Sequence, residues 1–155
     1  MHIKDYISQD GITFAPSMSS KKNALELLGE SLAQQDTSIN KNKLLDALLA
    51  REKLGSTGLG KGIAIPHCRM EDLDKIYMAV LKLKDGIEYD SADDEPVTFL
   101  CCLVVPEDAN EDHLQLLSSL AELLDSEQTR QAINNCQSAE CIYQILTQNP
   151  KHLAA

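Results

Sequence analysis

The 155-residue sequence contains no tryptophan, and its aromatic content is only 4%. A surface that binds nucleic acid by stacking bases on aromatic rings is thereby excluded, and the core has to be built from Leu, Ile, Val and Ala. Positive charge is scarce too. Fourteen Lys and Arg against 24 Asp and Glu leave a net charge of −10, which repels phosphate backbones and anionic headgroups. Long apolar runs are missing: the longest, Val97 to Val105, has nine residues and includes Thr98, far short of a membrane-spanning helix. The opening MHIKDYISQDG lacks the apolar stretch of a signal peptide, so a cytoplasmic location is expected. No CxxC pair occurs, and an odd count of five cysteines fits reduced thiols better than a disulfide framework.

The length is that of one ordinary domain, with neither linker nor internal repeat, and a single domain over 1–155 with a core from roughly 3 to 148 is expected. Ser19-Ser20 opens an amphipathic helix carrying Leu25, Leu28 and Leu32, and a second helix over roughly 40–53 carries Leu44, Leu45, Leu48 and Leu49. Gly62-Ile63-Ala64-Ile65 is a short β-prone piece halted by Pro66. Ile76 to Leu83 and Val97 to Val105 are apolar throughout, as strands covered on both faces are. Between them DGIEYDSADDE, with six acidic residues and no basic one, reads as a solvated connection. Asn110 caps a helix bearing Leu114, Leu117, Ala121 and Leu124, and Ser126 and Ser138 cap two more. Helices on either side of buried strands predict an α/β fold, a mixed β-sheet flanked by α-helices.

Glycine is sparse as well, seven residues in all, yet Gly55, Gly58, Gly60 and Gly62 share one eight-residue window. Such a turn either exposes backbone amides that cradle an anion or is simply a tight solvent loop. Gly55 to Lys61 matches the phosphate-binding loop pattern except at its last position, where Gly62 replaces the magnesium-binding hydroxyl. The context is also reversed, since this turn follows a helix and opens a strand. The dinucleotide pattern fails because Ile65 stands where its third glycine should be.

His67 follows Pro66 at the end of the short strand that the turn feeds, presented from a stiffened backbone. Neutral imidazole is a competent nitrogen nucleophile near pH 7. His113 lies in the first turn of a helix, where amides and the helix dipole favour anions and disfavour imidazolium. Arg51, near the end of the second helix, either complements that helix's dipole or neutralises phosphoryl oxygens. A zinc site from His67, Cys68 and His113 lacks any ligand-pair spacing, and neither a metal nor a cofactor is expected.

The run from Arg51 to His67, REKLGSTGLGKGIAIPH, closely resembles the active-site signature of the mannitol/fructose-type enzyme IIA domains of the bacterial phosphotransferase system. The Gly-Ser-Thr-Gly turn is most similar to the nitrogen-regulatory branch, and the likeness extends from Ser20-Lys21-Lys22 to the stretch HLQLL that starts at His113. The resemblance implies that His67 accepts a phosphoryl group from a phosphohistidine carrier protein, with His113 and Arg51 as the other catalytic residues. Ser56, Thr57 and Gly58 would bind the phosphate. Regulated cytosolic or membrane-associated proteins are the implied partners, with neither nucleic acid nor membrane insertion. A sugar-specific enzyme IIA that feeds a membrane permease is the alternative, and a phosphate-metabolite enzyme without relay chemistry a third reading. Cys68 stands where the family usually has glycine, and Arg69 where lysine is common.

Overall fold

The two long apolar runs form the centre of a six-stranded sheet. The computed structural model describes residues 2–109 and 111–148. Strands β5 (Tyr77–Ile87) and β6 (Val97–Pro106) pair antiparallel, with Leu81 opposite Leu100 and Tyr77 opposite Val104. On the outer side of β5 lies β1 (Ile12–Ala15), parallel to it. On the other side of β6 run β3 (Ile63–Ala64) and β4 (His67–Met70), both parallel to it, and β2 (Gly58–Gly60) pairs antiparallel with β3. The sheet is thus mixed, as expected.

Both of its faces are covered, which is why the central strands are apolar at nearly every position. Helices α1 (Lys21–Gln35) and α2 (Lys41–Lys53) place Leu25, Leu28, Leu44 and Leu48 against Ala79, Leu81, Leu100 and Cys102. On the opposite face α3 (Glu111–Asp125), α4 (Glu127–Asn135) and α5 (Ala139–Thr147) bring Leu116, Leu120 and Ile142 onto Met78, Val80, Cys101 and Leu103. Each fully buried leucine contributes about 1.5–3 kcal/mol, so the two layers together hold the sheet between them. Ser20, Ser126 and Ser138 cap their helices by accepting the N–H of Asn23, Thr129 and Cys141. The expected cap Asn110 lies outside the described residues.

Four expectations are corrected. Of the expected α3 stripe, Leu124 is buried and Leu117 and Ala121 pack against the core, but Leu114 is 58% exposed; Leu116, Leu120 and Leu123 form the deepest contacts, because paired leucines satisfy helical spacing in two rotations. His67 is not the end of the short strand: β3 stops at Ala64, before Pro66 as expected, and the chain resumes as β4 at His67, because Pro66 has no N–H but its carbonyl still accepts from Leu103 N at 2.9 Å. The acidic connection is only partly solvated, since Tyr89 and Ser91 are buried. The fourth concerns the thiols. Cys136 and Cys141 form a disulfide, because the short α4–α5 connection folds the first turn of α5 back over the end of α4, with the Cα atoms 5.6 Å apart. An odd total conceals one local pair; Cys68, Cys101 and Cys102 remain as buried thiols.

Candidate functional site

The glycine cluster builds a hairpin. Lys61 and Gly62, both at positive φ (57° and 85°), form the two-residue turn between β2 and β3, the conformation that matches strand twist. At Gly58 a side chain would collide with Ser91 Oγ, so close backbone approach explains that glycine. Ile65 N donates to Thr57 O at 3.1 Å and locks the hairpin to the segment that delivers His67.

His67 is the first residue of β4, in register with Leu103 of β6, and alternation turns its ring to the α3 side of the sheet. Its Nδ1 lies 2.8 Å from the carbonyl oxygen of Ile65. A carbonyl only accepts, so Nδ1 carries the proton and Nε2 keeps a free lone pair. Partial burial holds the ring below its ordinary pKa of 6.5, and the nearby Arg51 charge pushes the same way; the Ile65 hydrogen bond and Glu52 oppose them. The ring is therefore neutral at pH 7.

His113 reaches the same place from α3. The two ring centroids are 6.1 Å apart, with planes tilted by 46°. His113 is only 8% exposed, and its Nδ1 has no hydrogen-bond partner among the described residues. Burial first, then the positive charge of Arg69 and the repulsion that a protonated His67 would add, depress its pKa. Arg69, two residues beyond His67 on the same face of β4, donates Nη1 to the carbonyls of Glu107 and Ala109 at 2.9 and 2.5 Å. It thus brackets the segment that leads into α3.

Arg51 in the last turn of α2 donates Nη1 to Gly55 O at 2.9 Å, which holds its guanidinium over the start of the turn. Its neighbour Glu52 points inward. That carboxylate, 5% exposed, pairs with Lys21 Nζ at 2.9 Å and accepts both the Thr57 N–H at 3.0 Å and the Thr57 hydroxyl. Thr57 Oγ1 also meets Tyr89 Oη at 3.2 Å, and Ser56 Oγ donates to Tyr89 O at 2.8 Å while accepting Gly58 N–H at 3.1 Å. The structure thus brings His67, His113 and Arg51 together. Ser56, Thr57 and Gly58 spend these donors inside the protein, where they fasten the turn to Glu52 and Tyr89.

Sequence reasoning missed Glu52, Tyr89 and Arg69. Tyr89 carried a signal, as the one aromatic in an acidic stretch; Glu52 lay hidden between two cations that resemble an ordinary helix end.

Comparison with known proteins fits this geometry. The family described as "Phosphoenolpyruvate-dependent sugar phosphotransferase system, EIIA 2" matches residues 5–149. A nitrogen regulatory protein of Pseudomonas aeruginosa is 42% identical over 127 residues, covering 82% of each chain. A fructose-specific EIIA component of Haloferax volcanii is 33% identical over 130 residues, covering 84% of each. The crystal structure of nitrogen regulatory protein IIA-Ntr from Neisseria meningitidis superposes with a TM-score of 0.88 at 34% identity, covering 94% of this chain and 99% of that one. The family match over residues 5–149, a relative 42% identical over four-fifths of both chains and the shared fold show that the chain belongs to the EIIA 2 family of the phosphoenolpyruvate-dependent phosphotransferase system.

Proposed function

We propose that the protein is a regulatory phosphoryl carrier: His67 Nε2 accepts a phosphoryl group from a phosphohistidine carrier protein, and the charged state of the site governs binding to regulated partners. The observation that carries this reading is the Nδ1–Ile65 hydrogen bond, which fixes the tautomer and leaves Nε2 unprotonated. In the transfer the carrier's N–P bond breaks as the N–P bond to Nε2 forms, and the carrier imidazole leaves with its electron pair. The Nδ1 proton stays in place, and the Ile65 carbonyl stabilises the positive charge that the ring acquires. Arg51 and a neutral His113 take up charge on the phosphoryl oxygens, the electrostatic part of such a loose transition state.

Apolar side chains flank the site residues in sequence. Leu54, Leu59 and Leu114 are 85%, 51% and 58% exposed, next to Arg51, the glycine turn and His113. They give the donor a surface that binds without adding charge. Phosphorylation then adds roughly two negative charges at the centre of that surface.

Incubation with phosphoenolpyruvate, enzyme I and the carrier tests the reading. One acid-labile, alkali-stable phosphoryl group per chain is expected, and none in His67→Ala; labelling retained in that variant overturns the assignment. The 33% identity to a fructose-specific EIIA component favours a second reading, donation to a membrane permease. Transfer of label from the phosphorylated protein to a permease cytosolic domain decides for it, and retention of the label decides against it.

A further inference from the structure

The face of the sheet beneath α3–α5 is not covered along its whole length. Where β5 passes the α4–α5 turn a cavity of about 550 Å³ opens, with Phe14, Lys82, Lys84, Asn134 and Gln137 in its lining. Phe14 and Lys82 are register partners across β1 and β5, so their side chains stand on one face, and alternation puts Lys84 on it too. Phe14 is 40% exposed there.

Lys82 is half-buried and donates Nζ to Leu83 O at 3.0 Å, which leaves two N–H groups for other acceptors. Burial lowers its pKa, and no carboxylate contributes. In a chain with 24 acidic residues, neither Lys82 nor Lys84 forms an ion pair among the described residues. Lysines often guard the exposed edge of a sheet. At Lys82 β5 is interior, paired with β1 on one side and β6 on the other, so that explanation does not apply there. The partial desolvation of Lys82 is unfavourable alone, and an anion bound beside it relieves that cost, with Lys84 supplying a second positive charge on the same face.

The cavity is separate from the histidine pair. Lys82 and His67 meet β6 from opposite sides, at Phe99 and Leu103, four residues or about 13 Å apart along that strand. We propose that this cavity binds a small organic anion, its phosphate or carboxylate group between Lys82 and Lys84 and its apolar part against Phe14. It is a second ligand site, and it does not depend on the phosphoryl-transfer reading.

The test is a backbone-amide NMR titration with phenyl phosphate, inorganic phosphate and phenylacetate. Saturable shifts are expected at Phe14, Lys82 and Gln137, with phenyl phosphate tighter than inorganic phosphate. Phenylacetate distinguishes the headgroups: shifts at the same residues extend the site to carboxylates, and their absence restricts it to phosphates. K82Q/K84Q weakens phenyl phosphate by at least about tenfold, the loss of one charge-assisted contact. Phe14→Ala brings it to the level of inorganic phosphate. Lys84 is exposed, so K84Q alone supplies a folded variant if the double one is unstable, and it too must weaken binding. Shifts confined to the surroundings of His67, no saturation with any probe, or unchanged affinity in these lysine variants overturns the proposal.

Discussion

The rings of His67 and His113 face each other at 6.1 Å, too far for stacking contact and tilted by 46°, with the Arg51 charge acting on the first and the Arg69 charge on the second. That gap suits a tetrahedral group attached to one ring and hydrogen-bonded by the other. His113→Ala is therefore expected to slow phosphoryl acceptance by about 10²–10³-fold, the usual loss of one preorganised donor. Rapid-quench measurement of transfer from the carrier checks this, and an unchanged rate removes His113 from the site.

Both histidines have folded-state pKa values below 6.5. The unfolded chain then binds more protons around and below that value, so their contribution to stability is present above pH 6.5 and is lost as pH falls through the depressed folded values. Denaturant titrations from pH 7.5 to pH 5 should show falling stability. Histidine resonances should titrate with midpoints below 6.5; midpoints above it contradict the neutral pair.

Glu52 joins Lys21 at the start of α1 to Thr57 in the turn. Removing one member of a buried ion pair strands the other, and Glu52→Ala is expected to cost about 3 kcal/mol. Glu52→Ala also leaves the Thr57 N–H and hydroxyl without their acceptor, whereas in Lys21→Met those two donors still hold the carboxylate, so Lys21→Met should cost less. A double-mutant cycle on urea midpoints measures the coupling, expected to be positive between the two.

Arg69 brackets the carbonyls of Glu107 and Ala109. Without it the approach to α3 loosens, and the ring of His113 loses the cation that helps keep it neutral. In Arg69→Ala the His113 titration midpoint should rise and transfer should slow, while Arg69→Lys restores the midpoint more fully than the rate, because an ammonium lacks the planar fork.

The Cys136–Cys141 bridge closes a short loop between α4 and α5. Chain entropy for so small a loop assigns it about 2 kcal/mol. Thiol counting on the folded, oxidised protein under denaturing conditions should find three free cysteines, and Cys136→Ala with Cys141→Ala should lower the urea midpoint accordingly.

Much of this fold was legible in the sequence, and the reasons for the gaps are physical. Ile76 to Leu83 and Val97 to Val105 are apolar without alternation, so their place between two helical layers follows directly. The four-residue β1 has no such signature and pairs with β5 by tertiary context alone. His67 and Arg51 stood out because a proline and a cluster of glycines surround them, features that backbone geometry demands. Glu52, Tyr89 and Arg69 stayed hidden because what they do is hold other groups in place, across separations such as the 32 residues from Thr57 to Tyr89 that no local pattern encodes.

His67 grows out of a strand ladder and ties its own ring to the preceding backbone, with no hinge between imidazole and sheet. On the proposed function, phosphorylation adds a group and roughly two negative charges above a stiff plate whose backbone has no cause to move. A partner then reads voltage at a fixed address rather than a shift of the chain.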